Sequence, residues 1–427
     1  MANLLEVIVT SDTNNTLWTC SIWDPHTGTN LKNYRCGGTA EARTLNFIGN
    51  DYLAVAEKDK PLLQIWPLNS QETVPGKRFV LPGKASSVAF SNDGLYLVAG
   101  IDNKIYLWQV ASGNMLCIIT KHYQKIMILK FTPDGRFFIS AAEDGMVMVW
   151  CLVTVIAHPD VEIVSQLVAG QHDPVYVFSE HSLLVTDLAV SKMGIQGRLA
   201  TVSSDRSCKI YDLATGQRLL NIIFDYPLLS VTFDILELNV FVGTLDGKIH
   251  QIGLTHPPRT GDQCINSVEV CKTFMSHTKG VTCLSVSLDG ETLMSSSNDE
   301  TVILWHIPSR QPIRTIHHKG AITNAFFTMN KPSIFNYKFN PTIVLRNIDR
   351  KMERNDDVEI EVLTVKSCKN FWPNNFSNDH ECEDVVVEVH SDESSQRCIE
   401  LQKEILKLRK INADLYAYAI NAILEGK

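Results

Sequence analysis

The 427-residue chain holds eleven cysteines, yet no two are spaced as Cys-x-x-Cys, and they run thinly from Cys20 to Cys398. An odd, scattered set excludes a disulfide framework and a structural zinc knuckle, both of which cluster their sulfurs. Reduced thiols in an intracellular protein are the expectation. Long apolar runs are also missing. No stretch approaches the roughly 20 apolar residues of a membrane helix. The start, "MANLLEVIVTSDTN", has neither the basic charge nor the apolar length of a secretory leader. Positive charge is short: 39 Lys and Arg against 47 Asp and Glu, a net of −8. Broad electrostatic binding to nucleic acid or to an anionic membrane is therefore not expected. The deficit is local, because residues 353–393 carry 12 acidic and 3 basic side chains and leave the rest near neutral.

Catalytic signatures are absent too. "PGKASS" at 82–87 contains a Gly-Lys without the glycine loop that cradles phosphate. No Gly-x-Ser-x-Gly elbow occurs, and no carboxylate pair stands apart from the many turn aspartates. His250, His277 and the pair His317-His318 lack companions at metal-ligand spacing. "HECED" at 380–384 falls within the acidic run, where solvated charge is the simpler reading. The expectation is a non-enzyme with no catalytic residue, cofactor or metal.

What the chain does have is a repeat. "IDNKIYLWQV", "EDGMVMVWCL" and "NDETVILWHI" each place Trp six positions after Asp, and "SDRSCKIYDL" and "LDGKIHQI" fit the same frame with Tyr211 and Ile252. Adding Trp23 and Trp66 gives seven marks, at 23, 66, 108, 150, 211, 252 and 305. Four of the six spacings lie between 40 and 43 residues, the period of a propeller blade. The two long gaps hold insertions near 153–182 and 255–272. Between marks, alternating strands are punctuated by Asp-Gly turns. Fold class is therefore all-β, a seven-bladed propeller from about residue 4 to 329. The chain enters its first blade partway, and "GAITNAFFT" at 320–328 is expected to supply the missing inner strand and close the ring.

This pattern resembles WD repeats, most closely in the last unit. There the positions of His277, Ser295, Asp299 and Trp305 match the hydrogen-bonded tetrad of that repeat, a structural network rather than a catalytic triad. The other units are read as lacking its His or its Trp.

Past residue 329 the period stops. An acidic irregular extension is expected over 330–393. Within it, "FWPNNF" at 371–376 gathers three aromatics, either as a partner anchor or as a patch folding back. Val385, Val386, Val387 and Val389, followed by "HSDESS", resemble a SUMO-interacting stretch. Residues 394–425 return to helical spacing. With Leu401, Leu408 and Leu415 at d, Ile405 and Asn412 fall at a, the seam of a parallel two-stranded coiled coil in which a lone asparagine sets register. An amphipathic helix lying on the propeller is the alternative. Taken with "KHYQ" at 121–124, "GAITNA" at 320–325 and "EILKLRKINADLY", the whole chain resembles the WD-repeat subunits of the rixosome, a nuclear complex of large-ribosomal-subunit assembly. The resemblance implies a scaffold in nucleolus and nucleoplasm that homodimerises through Leu401, Ile405, Leu408, Asn412 and Leu415. It also implies binding to helical-repeat scaffold subunits, with an AAA ATPase and pre-ribosomal particles reached indirectly, and support of internal-spacer processing without cutting. A competing reading is the substrate receptor of a ubiquitin ligase. Its Trp-Asp-x-Arg signature is not met, because "WDPH" at 23–26 lacks the arginine. A propeller hydrolase is a third reading, and no motif supports it.

Overall fold

The computed structural model describes residues 5–14, 18–75, 77–156, 173–254, 262–264, 272–336 and 339–350. All lie in one compact unit spanning Met1–Glu361; a second unit, Val362–Lys427, falls outside the described residues. So do the aromatics at 371–376, Val385 to Val389, and the seam positions Leu401 to Leu415.

Seven sheets form seven blades, and all but one have four strands. Within a blade the chain runs from the inner to the outer strand, and the four successive strands pair antiparallel, the inner three through hairpins. The first blade is the exception in order. Its innermost strand, Ile322–Met329, pairs with Glu6–Asp12 so that Val9 faces Phe326. Both ends of the propeller segment are thus held by one ladder, and no open seam remains between first and last blades. The fifth blade gains a parallel outer strand, Asp262–Cys264, on its edge strand Arg218–Ile223. This strand comes from the second of the two insertions.

There is no single core. Seven apolar clusters occupy the seven blade interfaces. A middle strand serves two of them at once, because successive side chains point to opposite faces. Val7 and Val9 enter the cluster shared with the second blade, while Ile8 enters the one shared with the seventh. Leu97 and Ala99 face the second blade and Val98 the fourth. Strands buried on both faces read as nearly continuous apolar runs, "EVIVTSD" and "YLVAGI" among them.

The stretch after Met329 does not leave the propeller at once. Apart from one 3₁₀ turn, Pro332–Ile334, it has no regular structure among its described residues, yet it runs as a strap across one rim of the second and third blades. Ile334 and Leu345 are buried in the first–second and second–third blade clusters. Asp51, 3% exposed, accepts hydrogen bonds from the Thr342 amide (2.6 Å), the Thr342 hydroxyl (2.8 Å) and the Ile343 amide (2.7 Å). The Asn69 amide donates to the Phe339 carbonyl at 2.7 Å and the Tyr52 hydroxyl to that of Ile343 at 3.2 Å; Lys77 reaches that of Leu345. Two turn glycines with positive φ, Gly49 and Gly113, make the seat: a Cβ at Gly49 would meet the Ile343 side chain, and one at Gly113 the Asn347 carbonyl.

Candidate functional site

Hydrogen-bonded networks inside the blades contain the His/Ser/Asp arrangement of the last repeat. The structure brings His277, Ser295, Asp299 and Trp305 together. The Trp305 indole N–H donates to Ser295 Oγ at 2.8 Å, Ser295 Oγ lies 2.7 Å from His277 Nε2, and His277 Nδ1 lies 3.0 Å from Asp299. A neutral imidazole protonated on Nδ1 satisfies every bond: the hydroxyl donates to Nε2 while Nδ1–H donates to the carboxylate. Ser295 is fully buried and its oxygen is occupied on both sides, so no substrate can reach it.

The fourth blade carries the same network, which corrects the expectation that the other units lack its His or its Trp, while the fifth carries the His but, as expected, not the Trp. In the fourth, Trp150 donates to Ser140 (2.9 Å), Ser140 meets His122 (2.8 Å), and His122 meets Asp144 (3.2 Å). His122 precedes Ser140 by 18 positions and Asp144 by 22, the same intervals as His277 to Ser295 and Asp299. That spacing was available in the sequence. In the fifth, His181 bonds Thr201 (2.8 Å) and Asp205 (3.0 Å), and Tyr211, standing in the Trp position, stacks on Phe178 with ring centroids 4.1 Å apart. The first blade assembles a looser version from the two ends of the propeller segment. Trp23 donates to Thr10 at 2.8 Å, and His318 lies 3.5 Å from Asp12 with its ring 5.3 Å from that of Trp23.

In the second and third blades the serine slot holds Val55 and Ala99, and the indole must find an acceptor elsewhere. Trp66 donates to the Arg35 carbonyl at 2.8 Å, and Trp108 to the Asp349 carbonyl of the strap at 2.8 Å. The strap therefore completes a blade that cannot satisfy its own tryptophan.

Burial alone would raise the Asp299 carboxyl, but hydrogen bonds from Thr301, the Thr278 amide and His277 outweigh it and hold the group below its ordinary 3.8. Asp144 and Asp205 show the same balance, with His122 and His181 their leading donors. Burial pushes His277 below its ordinary 6.5 in spite of Asp299. All four folded values lie under the unfolded ones, so on acidification the unfolded chain takes up protons first. Stability is complete above the ordinary histidine value, declines as pH falls below 6.5 through His277, and declines again below 3.8 through the three carboxylates. Thermal unfolding followed by circular dichroism from about pH 8 down to about pH 4 should show a falling midpoint; a flat profile would contradict the neutral-histidine assignment.

The axial channel is the second feature. Arg43, on the segment leading into the second blade, has φ of 60°, a left-handed conformation uncommon for a long side chain. Its guanidinium crosses the axis, donating to the Leu229 carbonyl of the sixth blade at 3.2 Å and standing 3.8 Å from Asp187 of the fifth. Lys130 of the fourth blade stands 3.5 Å from the same carboxylate, which also accepts the Val231 amide at 3.0 Å. This spoke floors a cavity of about 630 Å³ that opens on the face where the strap lies. The cavity was not foreseen, since its walls are contributed by all seven blades. Among the described residues no group of three or more His, Cys, Asp or Glu could hold a metal, and no helix is long and apolar enough to cross a membrane.

The model of the WD domain, G-beta repeat, matches residues 77–109, 113–151, 172–212 and 268–306. WD repeat-containing protein 18 of Rattus norvegicus is 35% identical over 437 aligned residues, covering 99% of both chains. The protein of the same name from Danio rerio is 33% identical over 98% of both. Pre-rRNA-processing protein IPI3 of Yarrowia lipolytica is 28% identical, covering 81% of this chain and 82% of that protein. With its seven-bladed ring and similarity over 98–99% of both chains, the chain belongs to the family of WD repeat-containing protein 18.

Proposed function

We propose that the protein is a non-catalytic scaffold in large-ribosomal-subunit assembly and pre-rRNA internal-spacer processing, acting in the nucleus as a subunit of a rixosome-type complex. The observation that carries this reading is similarity along four fifths or more of the chain to a protein named for pre-rRNA processing, beside near-complete similarity to WD repeat-containing protein 18. A His/Ser/Asp set closed inside each of two blades supports binding over catalysis, because its hydroxyls serve the fold. The expected partners are helical-repeat scaffold subunits, with an AAA ATPase and pre-large-subunit particles recruited through them. Homodimerisation through Leu401, Ile405, Leu408, Asn412 and Leu415 belongs to the same proposal, as does a SUMO-interacting role for Val385, Val386, Val387 and Val389.

One experiment tests both parts. Cells carrying two differently tagged copies would be fractionated, and one tag purified from nuclear extract with mass spectrometry of what stays bound. Helical-repeat scaffolds, an AAA ATPase and large-subunit precursors should be recovered together with the second tag. Leu408→Glu with Leu415→Glu should lose the second tag and leave the propeller folded. Cullin-type ligase subunits in place of ribosomal precursors would replace the reading with the receptor one.

A further inference from the structure

We infer that the mouth of the axial channel on the strap side is a docking site for an acidic peptide segment of a partner protein, one that carries an apolar anchor residue. The inference deepens the scaffold reading and rests on it, but it stands on the cavity itself.

Its lining decides the chemistry. Four cationic side chains, Arg43, Lys130, Lys192 and Lys331, face only two carboxylates, Asp187 and Asp234. Asp187 is already shared between Arg43 and Lys130 and takes a backbone amide besides, so one carboxylate on the floor answers two cations. Among the aliphatic and neutral polar residues of the rest of the wall stand phenylalanines, with Phe47, Phe131, Phe233 and Phe327 contributed by the innermost strands of four blades. Phe47 packs edge-on against Phe326 and Phe131 packs tilted against Phe138, and Lys331 stands over the Phe47 ring at 4.1 Å. A bare polyanion would match the cations and leave the rings unused. A neutral apolar peptide would match the rings and leave the excess charge unanswered. An extended segment with carboxylates flanking one large apolar side chain satisfies both sets. The floor is pre-organised for it: the left-handed backbone at Arg43 holds the guanidinium across the axis before anything binds. The strap lies to one side, over the second and third blades, and Lys331 at its start donates to the Gly49 carbonyl, so the mouth is bounded on that side by fixed backbone.

The test uses the full chain and three fluorescein-labelled probes of equal length: a Glu/Asp-rich peptide with a central Phe, the same peptide with Gln and Asn replacing the acids, and the acidic peptide with Ser replacing Phe. Anisotropy titration should show saturable binding of the first, and binding at least about 10-fold weaker for each of the others. Lys192→Glu with Lys130→Gln should weaken the first probe by about 10-fold or more while the thermal midpoint stays within a few degrees, and Lys319→Glu, outside the cavity, should not. Equal binding by the uncharged probe, equal binding by the variant, or stronger binding of a single-stranded oligonucleotide of the same net charge would each overturn the inference. None of those results alters what the purification from nuclear extract recovers, so the two readings fail separately.

Discussion

Ser295→Ala should destabilise the propeller by about 2–6 kcal/mol, a large effect for the removal of a single hydroxyl. Two buried groups lose their partner at once, the Trp305 indole N–H and His277 Nε2. Trp305 is 1% exposed and Ser295 fully buried, so water cannot take over either bond without opening the blade. Each orphaned polar group costs about 1–3 kcal/mol, which is the origin of the sum. Ser295→Thr is the control. Threonine already fills the equivalent slot in the fifth blade, where Thr201 bonds His181 at 2.8 Å, and it keeps the oxygen in place. Ser140→Ala should cost a similar amount for the same reason, and the two losses should add, because the sites belong to different blades. Urea unfolding followed by circular dichroism measures all three. A loss below about 0.5 kcal/mol for Ser295→Ala would show that the network is not what holds the seventh blade.

The second large effect is expected at Asp51. Asp51→Ala removes one acceptor from three donors of the strap, two backbone amides and the Thr342 hydroxyl. Bonds to an ionised carboxylate contribute more than neutral ones, so a loss of about 3 kcal/mol is expected, concentrated on one segment. The consequence should travel. Once residues 339–350 lift away, Leu345 leaves the second–third blade cluster and Trp108 loses the Asp349 carbonyl. Hydrogen exchange read by mass spectrometry should therefore speed up over 339–350 and over the third blade's Lys104–Gln109, while the fifth and sixth blades stay as they were. Asp51→Asn, which keeps one acceptor oxygen, should fall between. Unchanged exchange at Lys104–Gln109 would mean that the strap rests on the third blade without supporting it.

How far the sequence reaches is plain at particular residues. The seven marks, four of whose six spacings are 40–43 residues, the Asp-Gly turns and the apolar middle strands follow from local chemistry that repeats, and a repeat declares itself in one dimension. The set His277, Ser295, Asp299 and Trp305 was legible because all four lie within one repeat at intervals of 18, 22 and 28 positions. His122, Ser140, Asp144 and Trp150 carry the same intervals within one repeat, so this set is just as local. His181 and Tyr211 were harder, since two extra residues shift the histidine and Tyr replaces Trp.

Tertiary structure alone decided the rest. Trp108 and Asp349 are 241 positions apart, Ser11 and Asn324 313, and no period links either pair. Arg43, Lys130, Asp187 and Leu229 meet only because a closed ring turns four inner strands toward one axis. What recurs at a fixed local spacing is determined by the chain itself, through strand alternation and turn chemistry. What depends on ring closure is determined by where closure sets the ends and inner edges of the blades, and a blade whose serine slot holds alanine borrows its acceptor from whatever backbone the fold lays beside it.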